Sequence, residues 1–320
     1  MRLRPAAATA LAALLLASGC TKSATVSTTT TSSTKAPTSS TTTAPTGITN
    51  SWAGPPADVT QLPIGTPYVS TTSASRGGLY ACDAGNANGG GAFRAGPWLD
   101  EAAGTWNLKE KVSVQGSVSW PMAKYAESVE GAVRTISSNG LPVGNVTGTF
   151  PIAADDPAFA YDRNPNSIAE TAISKSLPVA PTAAATPGCL GKGTIGVLKN
   201  GVALYAPLDE RNRDAVAYET QDDCDGHPQQ ASTYHYHDVP SCLRDAATGA
   251  STVVGWAYDG YPVVVERDAE GNLPTNADLD ECHGRTSAVV VDGAVVTTYH
   301  YSATYEFPYT LGCYRGTPVP

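Results

Sequence analysis

Beyond residue 50 the apolar positions of this chain come in short runs broken every few residues by Gly or Pro, and they seldom recur at the spacing of an amphipathic helix. Val, Thr and Tyr fill many of these runs, the composition of short strands joined by ordered loops. Two hairpins are predicted. Thr194–Lys199 and Val202–Tyr205 flank Asn200-Gly201, and Ala288–Val291 and Ala294–Val296 flank Asp292-Gly293. Both dipeptides tolerate the positive φ angles of a type I′ turn. A third apolar pair, Val253–Tyr258 and Tyr261–Val265, flanks Asp259-Gly260. There Pro262, which cannot donate to a ladder, predicts a sheet edge or a bend. Short helices are expected over Ser167–Leu177 and Leu208–Ala215, and strands and loops elsewhere. The expected fold class is mainly β, a disulfide-stabilised sandwich- or barrel-like domain with long ordered loops and few short helices.

The N-terminal pattern differs. Arg2 and Arg4 precede an apolar run, Ala6 to Leu16, that is too short to span a bilayer and ends in Ala17, Ser18 and Gly19 before Cys20. This reads as a secretory signal peptide over residues 1–19. Leu16-Ala17-Ser18-Gly19-Cys20 resembles a bacterial lipobox, which implies lipidation of Cys20 and an extracytoplasmic chain tethered to a bacterial cell membrane. From Thr21 to Thr46 the residues are almost all Ser, Thr, Ala and Pro, a composition with too little to bury to offset its ordering entropy, so residues 20–50 are expected to form the lipidated Cys and a disordered linker.

Residues 51–320 are long enough for one large domain or two small ones. All 29 acidic residues lie beyond residue 50, against 16 basic ones (20 less Arg2, Arg4, Lys22 and Lys35), leaving about −13 formal charges. That balance excludes nucleic acid as an expected partner and permits cation binding. Setting Cys20 aside, Cys82, Cys189, Cys224, Cys242, Cys282 and Cys313 remain, an even number that reads as disulfides in an exported protein.

An internal repeat orders them. Asp222-Asp223-Cys224-Asp225-Gly226-His227, followed by Tyr234-His235-Tyr236-His237 and Cys242, is echoed by Asp280-Glu281-Cys282-His283-Gly284-Arg285, then Tyr299-His300-Tyr301-Ser302 and Cys313. The echo marks a duplicated Cys…Tyr-His-Tyr unit in the C-terminal third. If each unit closes on itself, Cys224 pairs with Cys242 and Cys282 with Cys313, leaving Cys82 for Cys189.

All five histidines, His227, His235, His237, His283 and His300, lie in the last third of the chain. His235 and His237 alternate along a strand and therefore face one side. Neutral imidazole suits zinc and copper, and a site needs at least a third ligand. The duplication nominates His300, in the position of His235, on the expectation that the two Tyr-His-Tyr strands lie side by side. His227, His283, or one of Asp222, Asp225 and Asp280 would complete the set. The acidic turns that hold these three aspartates also raise calcium as a lesser candidate. Histidines hydrogen-bonded within a packed sheet remain the competing explanation.

The chain from about Leu79 to Val319 resembles the YHYH-domain proteins, exported bacterial proteins named for the tetrad at 234–237, with a motif core over 190–320. The likeness also runs through Asp162–Ser167, Asp214–Glu219, Asp222–Pro228, Tyr258–Pro262, Leu279–Gly284 and Phe307–Gly316. It implies the family and no reaction. From the residues, the expected function is transition-metal binding by a membrane-anchored extracytoplasmic protein. A metal-dependent hydrolase, in which a metal-bound water attacks an ester or phosphate, and a surface binding module without chemistry are the alternatives.

Overall fold

The predicted turns organise the strands of the computed structural model, which describes residues 47–320. Signal peptide, Cys20 and most of the linker lie outside the described residues. Five two-residue strands come first: β1 (Leu62–Pro63), β2 (Val69–Ser70), β3 (Leu79–Tyr80), β4 (Leu99–Asp100) and β5 (Thr105–Trp106). They are followed by β6 (Tyr125–Glu130), β7 (Val133–Ser138) and β8 (Ile173–Pro178), an antiparallel sheet in that order.

The large sheet holds the remaining eight strands. These are β9 (Thr194–Leu198), β10 (Ala203–Tyr205), β11 (Gly226–Pro228), β12 (Tyr234–Tyr236), β13 (Ser251–Ala257), β14 (Pro262–Glu266), β15 (Gly284–Val291) and β16 (Ala294–Ser302). Their spatial order is β11-β12-β10-β9-β13-β14-β16-β15. The order reads the same from either end once the four strands of each half are matched. β10 and β12 pair in parallel, as do β14 and β16, and the halves meet at the antiparallel pair β9–β13 through Val197 opposite Trp256. A shift of 59 positions carries Val197 onto Trp256 and Asn200-Gly201 onto Asp259-Gly260. The duplication therefore extends upstream of the Cys…Tyr-His-Tyr segments to include β9 and β13.

The repeat persists in side-chain bonding. Asp222 Oδ1 accepts from the Cys224 and Gly226 amides and from the Tyr234 hydroxyl, and Asp280 Oδ1 accepts from the Cys282 and Gly284 amides and the Tyr299 hydroxyl. The tyrosine rings pass so close that a Cβ on Gly226 would lie 2.2 Å from the Tyr234 ring, and one on Gly284 2.4 Å from the Tyr299 hydroxyl. Both glycines are needed for that approach. Tyr234→Phe and Tyr299→Phe should each cost about 1–2 kcal/mol, the loss of hydrogen bonding to a carboxylate that is buried in Asp222 and half-buried in Asp280, measurable by urea unfolding.

Mainly β structure and few short helices are as expected, and the disulfides Cys82–Cys189, Cys224–Cys242 and Cys282–Cys313 are present. Three local expectations are corrected. Ser167–Leu177 is not a helix: its second half is β8, where Ile173 and Leu177 turn inward with period two. Leu208–Asp214 is a loop in which Asn212 takes φ 60°, and helix α1 (Ala215–Tyr218) starts only after Asp214 caps it. Pro262 sits in the interior of the sheet, between β13 and β16, because it is the first residue of β14, where a missing N–H is tolerated. Among the described residues no helix is long and apolar enough to cross a membrane.

Candidate metal centre

Alternation along β12 separates the tetrad into two environments. Tyr234 and Tyr236 pack edge to face, their ring centroids 5.4 Å apart, while His235 and His237 point the other way. The third imidazole comes from the neighbouring strand, since the β11–β12 register sets His227 directly opposite His235. His237 Nε2 lies 3.1 Å from His235 Nε2 and 3.1 Å from His227 Nε2. Zinc–nitrogen bonds of about 2.0–2.1 Å at tetrahedral angles would hold ligand atoms about 3.3 Å apart. Both observed separations are close to that value, and all three ligand atoms lie within 4.8 Å of one another.

A proton cannot account for the contact between His235 and His237. His235 Nδ1 lies 3.1 Å from the Thr233 carbonyl and His237 Nδ1 2.7 Å from the Ala206 carbonyl. A carbonyl only accepts, so each Nδ1 carries its ring's proton, and in the neutral rings both Nε2 atoms present lone pairs to one another. Burial, then the charges of the neighbouring histidines, drives His227 and His235 well below the ordinary imidazole range. Burial brings His237 to about 4. At neutral pH the rings are neutral, the state that ligates. The carbonyl-anchored Nδ1–H groups are the outer support usual for metal-bound imidazoles.

A carboxylate stands beside the triangle. Glu219 Oε2 lies 3.5 Å from His237 Nε2 and 3.6 Å from His227 Nε2. Burial, then the charges of Asp162 and Asp209, pushes its carboxyl well above the usual range, so a nearby cation would be needed to favour the ionised form. Glu219 directly follows α1, whose cap Asp214 is held by the Gly65 amide and the Tyr309 hydroxyl. Lys111 reaches the Val216 carbonyl and the Gln221 side chain. Tyr205 of β10 stacks on His235 with ring centroids 4.0 Å apart.

The structure brings together three of the five predicted histidines: His227, His235 and His237 form the one group of potential metal ligands found among the described residues. The expectation that His235 meets His300 is corrected. Strands β10, β9, β13 and β14 lie between β12 and β16, because the two units are joined through β9 and β13 rather than through their Tyr-His-Tyr strands. His300 contacts Glu266, and His283 directs Nε2 to the Thr304 hydroxyl at 3.0 Å. The three acidic candidates are also placed elsewhere. Asp222 and Asp280 tie their turns to tyrosines, and Asp225 Oδ2 accepts from the Ser241 amide at 2.6 Å. Sequence reasoning missed Glu219, although its segment Asp214–Glu219 is among the motifs of the family likeness. A glutamate closing a short apolar helix gives no spacing signal that points to histidines across a loop.

Fold and site together define a disulfide-bonded, mainly β protein with a duplicated sheet and a buried three-histidine cluster in its first half. The family model described as YHYH protein matches residues 174–275, which bears out the family likeness over that segment. The matched segment includes Glu219 and all three clustered histidines and ends before His283 and His300. No curated protein and no solved structure matches the chain.

Proposed function

We propose that this protein binds one transition-metal ion, zinc or copper, through Nε2 of His227, His235 and His237, with Glu219 as the fourth ligand. The reading rests on one observation: three buried imidazole nitrogens within ligand distance, two of them with their protons committed to carbonyls on the far side of the ring. A cation resolves that crowding of lone pairs, and a mixed nitrogen and oxygen set suits these metals better than calcium. The chain carries the site outside the cytoplasm, tethered to the cell membrane through lipidated Cys20.

Elemental analysis of the full chain purified in detergent tests the metal directly, with one zinc or copper per chain as the expected result. A chain that binds neither metal after dialysis against each in turn would refute it. Glu219 also carries the hydrolase alternative, because a buried carboxylate beside a metal-bound water is placed to take its proton. In that case Glu219→Gln would retain the ion and lose turnover of ester or phosphate substrates.

A further inference from the structure

The second unit has its own three-residue convergence at the same positions. His300 corresponds to His235, and its Nδ1 likewise lies 3.2 Å from the carbonyl two residues before it, that of Thr298. In the positions of His227 and His237 stand Arg285 and Ser302. These three side chains meet on the carboxylate of Glu266, which is fully buried. His300 Nε2 lies 2.9 Å from Glu266 Oε2, a close contact off the ideal N–H direction. Ser302 Oγ donates to Oε2 at 2.7 Å, and Arg285 donates through Nε at 3.2 Å and Nη2 at 3.1 Å.

The chemistry of the two convergences is inverted. In the first unit lone pairs converge, which calls for a cation. In the second a guanidinium and a hydroxyl converge beside an imidazole, and hydrogen-bond donors call for an anion. We infer that the second unit is the counterpart of the metal centre converted to hold an anion, with the Glu266 side chain as its built-in occupant, so that the duplicated sheet has places for one metal ion and one carboxylate. The inference rests on the metal reading of the first unit. It goes further by assigning Arg285, His300 and Ser302 a common origin with the three clustered histidines, and the site they form around Glu266 a ligand class.

Zinc stoichiometry by equilibrium dialysis distinguishes the two claims. The wild-type chain should bind one zinc. The triple variant Glu266→Ala, Arg285→His, Ser302→His, which recreates three imidazoles without the internal carboxylate, should bind two. No zinc on the wild type would refute the metal reading, whereas one zinc on a folded triple variant, or two on the wild type, would overturn the inference about the second unit. If the triple variant does not fold, Glu266→Ala decides. Its thermal melting should rise with added formate while that of the wild type stays flat, and equal responses of the two proteins would overturn the inference.

Discussion

His237→Ala should leave the protein without tightly held metal and should lower its melting temperature to that of the chelated wild type. His237 is the central member of the cluster, within 3.1 Å of both other Nε2 atoms, so its removal leaves two imidazoles that no longer share a common neighbour. Metal that binds only the folded chain stabilises it by RT ln(1 + [L]/Kd), about 4 kcal/mol at a thousandfold excess over Kd. In a domain of this size each kcal/mol moves the midpoint by roughly 2–4 °C. Chelating the wild type should therefore lower its midpoint by on the order of 10 °C, and the variant should show no response to chelator. His300→Ala serves as the comparison. It removes the equivalent histidine of the other unit and should leave zinc stoichiometry unchanged. Loss of zinc in His300→Ala, with the domain still folded, would contradict the separation of the two centres.

Much of this arrangement was legible in the sequence wherever a local signal existed. Asn200-Gly201, Asp259-Gly260 and Asp292-Gly293 marked their hairpins because each supplies a glycine for the positive φ of the turn, although only in the last does the residue before the glycine share that conformation. The Cys…Tyr-His-Tyr echo yielded the disulfide pairing, since each bridge closes its own unit. Alternation in the tetrad put His235 and His237 on one face, as found. What the sequence did not display was how the halves join. The echo was visible around the Tyr-His-Tyr segments, whereas the axis passes through β9 and β13, where Val197 faces Trp256 and the shift of 59 positions preserves only Gly196 as Gly255. Lacking that, the duplication put His300 first as the partner of His235 and left His227, one strand away, among the residues that would complete the set. The substitutions His237 to Ser302 and His227 to Arg285 were evident in the sequence. Their meaning depended on Glu266, which enters from β14 and has no counterpart in the repeated motif.

Glu266→Gln should destabilise the protein by about 3 kcal/mol at neutral pH, the scale expected when one partner of a buried ionic cluster is removed and the others are left without a counter-charge. The amide keeps the packing of Glu266, so the loss reports charge. Burial alone would raise the Glu266 carboxyl. Contact with His300, its charge, the Arg285 guanidinium and the Ser302 hydroxyl outweigh burial and bring it from an ordinary 4.5 down to about 2. A carboxylate depressed in the folded state contributes stability that is fully present above its unfolded pKa and is lost as pH falls from about 4.5 toward 2. That interval corresponds to roughly 3 kcal/mol at 1.36 kcal/mol per pH unit. Asp214 and Asp222 act in the opposite sense. Burial raises each to about 6, so their protonation favours the folded chain between that pH and the ordinary 3.8. The contribution of Glu266 is isolated by subtracting the denaturant stability of Glu266→Gln from that of the wild type at each pH. The difference should be flat from pH 7 to about 5 and shrink steadily below pH 4.5. A difference independent of pH down to 2.5 would mean that the carboxylate is not held ionised by Arg285 and His300, and that the second unit has some other source of cohesion.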